Sequence, residues 1–155
     1  MMKQETKIIK NFLKKIGAPQ IKVRSVKFDT QADMMNNIIY FNKGDFQDDN
    51  FNKIVKSYYK KVGYKDIKIH MGTYAILQEL GHILSKMEIK NFDRTFNAYI
   101  NGQNRLPKLA SYKVRFYKYR NLRLEKLADK YAYIVYKKFE NEIIKFDKKL
   151  QKVAE

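Results

Sequence analysis

Gln78 and His82 stand four residues apart in Gln78-Glu79-Leu80-Gly81-His82, so on a helix they project from one face, with Glu79 on the flank three residues before His82. Amide, carboxylate and imidazole at this spacing are groups that bind metals and move protons. The surroundings sharpen the point: from Ile69 to Leu84, in a chain dense in lysine, the only fixed charge is Glu79. Such a segment is built for the interior. A buried, isolated carboxylate costs several kcal/mol unless it is paired, protonated or beside a metal, so something must compensate Glu79. Gly81 leaves the adjoining helix surface bare, open to close approach by another segment or a ligand.

A second run supplies the complement. Glu125, Ala128, Asp129 and Ala132 fall at i, i+3, i+4 and i+7, which sets two acids among small alanines on one narrow stripe. Small residues let two helices approach, and the acids then meet Gln78 and His82 across the contact. One histidine and three carboxylates are the raw material of a hydrolytic metal site. The plainer alternative is an ordinary buried hydrogen-bond network around Gln78, Glu79 and His82, with Glu125 and Asp129 paired to Arg123, Lys126 or Lys130 on a solvated face.

These residues need elements to hold them. Apolar spacing predicts an amphipathic helix over residues 3 to 16, stopped by Gly17-Ala18-Pro19. Strands follow at Ile21–Phe28 and Ile38–Asn42, implying a small, mostly antiparallel sheet. Asp48 or Asp49 caps a helix ending near Gly63, and a longer helix runs from Ile67 to about Lys86. Residues 91 to 104 form a short helix, Pro107 marks a break, and one long helix spans roughly Tyr117 to Phe146. The reading is an α+β fold in a single domain, residues 1 to 155, with the sheet packed on the Gln78–His82 helix and a long C-terminal helix.

Composition bounds the rest. With 45% apolar and 14% aromatic residues the chain folds despite 32% charged residues. There is no cysteine, which excludes thiolate metal sites and cysteine nucleophiles. Neither a membrane-length apolar run nor an apolar signal core after Met1 is present, so a cytoplasmic protein without membrane attachment is expected. The net charge of +17 draws nucleic acid or acidic surfaces, yet 27 of the 33 basic residues are Lys and only 6 are Arg, the better reader of phosphate and bases. Tyr112, Phe116, Tyr117 and Tyr119, interleaved with Lys113, Arg115, Lys118 and Arg120, could stack on bases, but packing at the entrance to the last helix explains them as well.

The two runs together resemble a known family. Gln-Glu-Leu-Gly-His followed by Leu-Glu-Lys-Leu-Ala-Asp-Lys-Tyr-Ala is similar to the ImmA/IrrE-like zinc metallopeptidases of phages and mobile elements, in which His-Glu-Leu-Gly-His precedes a Glu-x-x-Ala-Asp/Asn motif. Tyr119-Arg120 and the Ile38–Phe41 strand, which looks like the edge strand beside the active-site helix, extend the likeness over residues 37 to 140. It implies a zincin-like fold with Glu79 as general base and proton shuttle, His82 and Glu125 as zinc ligands, and Asp129 orienting a metal-bound histidine. Gln78 departs from the pattern: it stands where the first histidine ligand belongs, and its amide oxygen is a weak, hard donor, so zinc is held weakly or not at all. His70 lies two to three turns from Gln78 and His82 along a continuous helix, roughly 12 to 18 Å, and can replace the missing ligand only if the helix begins after it.

Three functions follow. A pseudoenzyme that keeps the fold to bind a protein partner is favoured by Gln78. An active zinc endopeptidase cleaving a regulatory protein is favoured by retention of Glu79, His82, Glu125 and Asp129. A basic protein binding nucleic acid nonspecifically is the third.

Overall fold

The computed structural model describes residues 2–89, 92–106 and 112–154. The element order is α1 (Gln4–Lys15), β1 (Lys22–Ser25), β2 (Gln31–Asp33), β3 (Ile38–Phe41), α2 (Asp49–Lys61), α3 (Met71–Ser85), α4 (Phe92–Asn104), α5 (Tyr112–Arg120), α6 (Arg123–Lys138) and α7 (Glu140–Ala154), with a 3-10 turn at Lys43–Phe46. It is an α+β arrangement, mostly helical. Among the described residues no helix is long and apolar enough to cross a membrane.

The sheet corrects one expectation. Its strand order is β1-β3-β2, with β1 parallel and β2 antiparallel to β3, so it is mixed rather than mostly antiparallel. Ile38–Phe41 is its central strand, not an edge. Ile38, Ile39 and Phe41 are all buried, as covering on both faces requires, while the edge beside α3 falls to Gln31-Ala32-Asp33. That three-residue strand carries no alternating apolar pattern. Tertiary pairing with β3 makes it a strand, not its own composition.

α3 runs through the centre, and thirteen of its fifteen residues are buried. It starts at Met71, later than Ile67, because the preceding backbone is bonded elsewhere. The Tyr136 hydroxyl accepts from Lys68 N at 2.9 Å, Met71 N donates to Asn52 at 2.9 Å, and the His70 ring accepts from Gly72 N at 2.9 Å as the cap. His70 also stacks on Phe46. It is a capping residue at the mouth of the helix.

The long C-terminal helix is in fact three. Asn121 and Leu122 turn the chain between α5 and α6, and Phe139 breaks it again before α7. The first turn folds Arg120 back against its own following helix. The second lets α7 pack on α1, where Phe12 and Phe146 stack with ring centroids 4.1 Å apart. Apolar spacing is helical on both sides of each turn, which hides the breaks. The expected break at Pro107 lies outside the described residues, as do the side chains of Tyr112 and Lys113.

Candidate functional site

α3 and α6 meet face to face, and the glycine in the first run sets their separation. A β-carbon on Gly81 would lie 2.2 Å from the Ala128 carbonyl oxygen, so the α6 backbone occupies the surface that Gly81 leaves bare. Ala128 and Ala132 are fully buried beside it. This approach brings the polar residues of the two runs together.

Glu125 is the hub. Its Oε2 accepts from the Gln78 amide at 2.8 Å, lies 3.2 Å from His82 Nε2 and takes a direct ion pair from Arg120. Its Oε1 accepts from the Tyr99 hydroxyl at 2.6 Å. Arg120 also pairs with Asp129, whose Oδ1 accepts from Tyr59 at 2.8 Å. Behind Tyr99 stand Tyr119, at 2.8 Å between hydroxyls, and Gln103, at 3.0 Å. Arg120, Glu125 and Asp129 are each at most 2% exposed, so this is an ion network cut off from water.

The electrostatics follow from that burial. Desolvation opposes the charge on Glu125, yet the Arg120 guanidinium and His82 hold its carboxyl well below the usual range. His82 is raised: burial works against its imidazolium, but Glu125 beside it outweighs burial. For Glu79 burial outweighs the pull of His82 and Arg120, and its carboxyl is pushed up to about 7. It therefore keeps its proton in the folded state between roughly pH 4.5 and 7, where the unfolded chain releases it. The stabilisation that this bound proton provides is complete below about pH 4.5 and is lost as pH rises to about 7. Glu79→Gln, neutral at every pH, is expected to raise the unfolding free energy at about pH 8 by roughly 1–3 kcal/mol relative to its effect at about pH 4.5. Denaturant titrations at the two pH values check this, and an equal effect at both would contradict it.

Every polar residue singled out in the two runs is in this neighbourhood. Gln78 and His82 both reach Glu125, while Glu79 sits buried beside them, facing the backbone of Ala32 on β2. Asp129 is bonded to Tyr59 and Arg120, and the far ring nitrogen of His82, Nδ1, has no partner among the described residues. Lys126, Lys130 and Arg123 do not pair with Glu125 or Asp129 among the described ion pairs. His70 stays with its cap.

Sequence reading missed Arg120 as the central cation, and Tyr99, Tyr59 and Gln103 altogether. Arg120 carried a faint signal, as one of six arginines directly before the second run. The tyrosines carried none, being two of twelve in the chain.

The site floors a cleft of about 900 Å³. Gln78, Glu79, His82, Tyr99 and Arg120 line it together with Ala32 of β2 and Arg115. Asp29, Asp45 and Asp48 also border it, and no lysine does among the described residues. The groups with metal-ligand chemistry are His82 and Glu125, with the Gln78 amide between them.

Comparisons of the chain with protein-family models, with curated proteins and with solved structures find no match.

Proposed function

We propose that the chain is a zincin-like scaffold, similar in plan to the ImmA/IrrE-like metallopeptidases, in which an arginine-centred network takes the place of the metal, and that it binds a protein segment in its cleft without cutting it. One observation carries this reading: the carboxylate that matches a zinc ligand, Glu125, is already engaged by Arg120, Gln78, His82 and Tyr99.

That donor set does not fit zinc. A tetrahedral site needs about three protein ligands, and Gln78 presents its NH₂ group, not its oxygen, to Glu125. Arg120 is a fixed, buried cation on the same oxygen of Glu125, so a divalent ion bound there would face an unscreened like charge. Glu125 also favours the imidazolium form of His82, whereas a metal needs the neutral ring. Without an activated water, Glu79 has no nucleophile to deprotonate.

The cleft suits a peptide. Its volume accommodates several residues of extended chain, and its border is acidic in a protein that is otherwise strongly basic. A segment carrying Lys or Arg would be repelled by most of this surface and accepted here.

The active-peptidase reading rests on a different observation, the convergence of Gln78, Glu79 and His82 on one cleft, with Glu125 bonded to Gln78 and His82. Gln78→His separates the two. On the pseudoenzyme reading, this substitution raises zinc occupancy from near zero, because it restores a ligand and removes a hydrogen bond that ties up Glu125. Metal analysis after dialysis against zinc measures it. Hydrolysis of unstructured protein by the unmodified chain, abolished by Glu79→Gln, would establish the peptidase instead.

A further inference from the structure

Away from the cleft, α1 and α7 pack on each other and turn their apolar rows inward: Ile9, Phe12 and Leu13 on α1, Ile143, Phe146 and Leu150 on α7. What they leave outside is dominated by lysine. Lys3, Lys7, Lys10 and Lys14 recur at i, i+4, i+7 and i+11, a narrow stripe along α1 and its cap. On α7, Lys145, Lys148, Lys149 and Lys152 recur at i, i+3, i+4 and i+7, opposite the buried row. All eight are exposed.

Most acids of the same helices are withdrawn from this surface, with half-buried Glu142, one turn before Lys145, the one left beside the α7 row. Glu5 is buried and accepts from Ser25, Asp147 is buried and accepts from Thr73, and Glu140 pairs with Lys68 at the start of α7. None of the eight lysines is in an ion pair among the described residues. Like charges one turn apart on a helix repel and weaken it. Such rows gain nothing from the fold itself, and an external polyanion is what offsets their repulsion.

We propose that the exposed lysine rows of α1 and α7 dock on the phosphate backbone of double-stranded nucleic acid, independently of base sequence. At 1.5 Å per residue the α1 row is about 16 Å long and the α7 row about 10 Å, against one duplex charge per roughly 1.7 Å of axis, so each row faces several phosphates. Lysines are point charges that neutralise phosphate without reading base edges, and no arginine lies on either helix. An anionic membrane is the poorer fit. Surface-bound amphipathic helices insert an apolar face, and here both apolar faces are buried, leaving Met2 as the only exposed large apolar side chain described at this end of α1 and none on α7.

The test is anisotropy of a labelled 20-base-pair duplex titrated with the full chain over a range of salt. Two variants lose the same charge: Lys145, Lys148, Lys149 and Lys152 all to Gln, and Lys53, Lys56, Lys60 and Lys65 all to Gln on and after α2. The α7 variant is expected to lower the salt slope by about 3–4 and to weaken binding roughly 30-fold or more at about 100 mM salt, while the α2 variant weakens it less than about 3-fold. Thermal melts confirm that both are folded. Equal weakening by the two variants, or no duplex binding at about 100 mM salt, would overturn the proposal. So would α7-dependent binding to phosphatidylserine vesicles with duplex binding unchanged, which would assign the face to a membrane.

Discussion

Arg120→Met is expected to lower the unfolding free energy by about 3–5 kcal/mol, a large part of the 5–15 kcal/mol typical of a domain. The loss has little to do with the guanidinium's own attractions. It comes from what is left behind: Glu125 and Asp129, both within 2% of full burial, with no cation between them. Tyr59, Tyr99 and Gln78 still donate to the two carboxylates, but neutral donors do not cancel two buried charges. The triple variant Arg120→Met, Glu125→Gln, Asp129→Asn removes the charges together and is expected to recover more than half of the loss. Urea titrations measure both. If the single substitution cost under about 1 kcal/mol, Arg120 would not be the ion that the acid stripe is built around.

The second large effect is steric. Gly81→Ala sets a methyl 2.2 Å from the Ala128 carbonyl oxygen, 3.0 Å from its carbon and 3.2 Å from its α-carbon. All three are backbone atoms of a helix, so no side chain can rotate away. α3 and α6 must separate, which opens the Gln78–Glu125 and His82–Glu125 contacts as well as the alanine packing. A loss of about 3 kcal/mol or more is expected, beyond ordinary overpacking. Gly102→Ala is the control: its β-carbon meets Leu122 Cδ2 at 2.8 Å, the end of a flexible side chain, and should cost about 1 kcal/mol or less. Thermal melts of the two variants side by side decide it, and equal shifts would contradict the close crossing at Gly81.

What could be read from sequence, and what could not, divides along physical lines. The lysine-free run Ile69–Leu84 announced a buried helix because burial excludes lysine, and the Glu125–Ala132 stripe announced its partner because close packing selects small residues. Their meeting through Gln78 and Glu125 follows from those two facts. Capping chemistry was equally local, as Asp48, one of two candidates, shows by accepting from Phe51 N at the start of α2. Arg120 was not legible as the central cation. Its placement depends on the Asn121-Leu122 turn, and the apolar spacing continues through that turn unchanged. β2 was invisible because Gln31-Ala32-Asp33 is a strand only through its pairing with Ile38–Tyr40. Tyr99 reaches Glu125 from α4, a helix whose own polar sequence gives no sign of which face turns inward.

The carboxylates and histidine of this site thus have a structural account that needs no metal: two acids and an imidazole arranged around one buried arginine, with Gln78 closing the set. Direct titration of the unmodified chain with zinc, by calorimetry at about pH 7.5 after chelator treatment, tests this most directly. The expected result is no saturable binding tighter than about 10 μM, with Gln78→His binding more tightly in the same assay. One zinc per unmodified chain, held at nanomolar affinity and lost on His82→Ala, would contradict it.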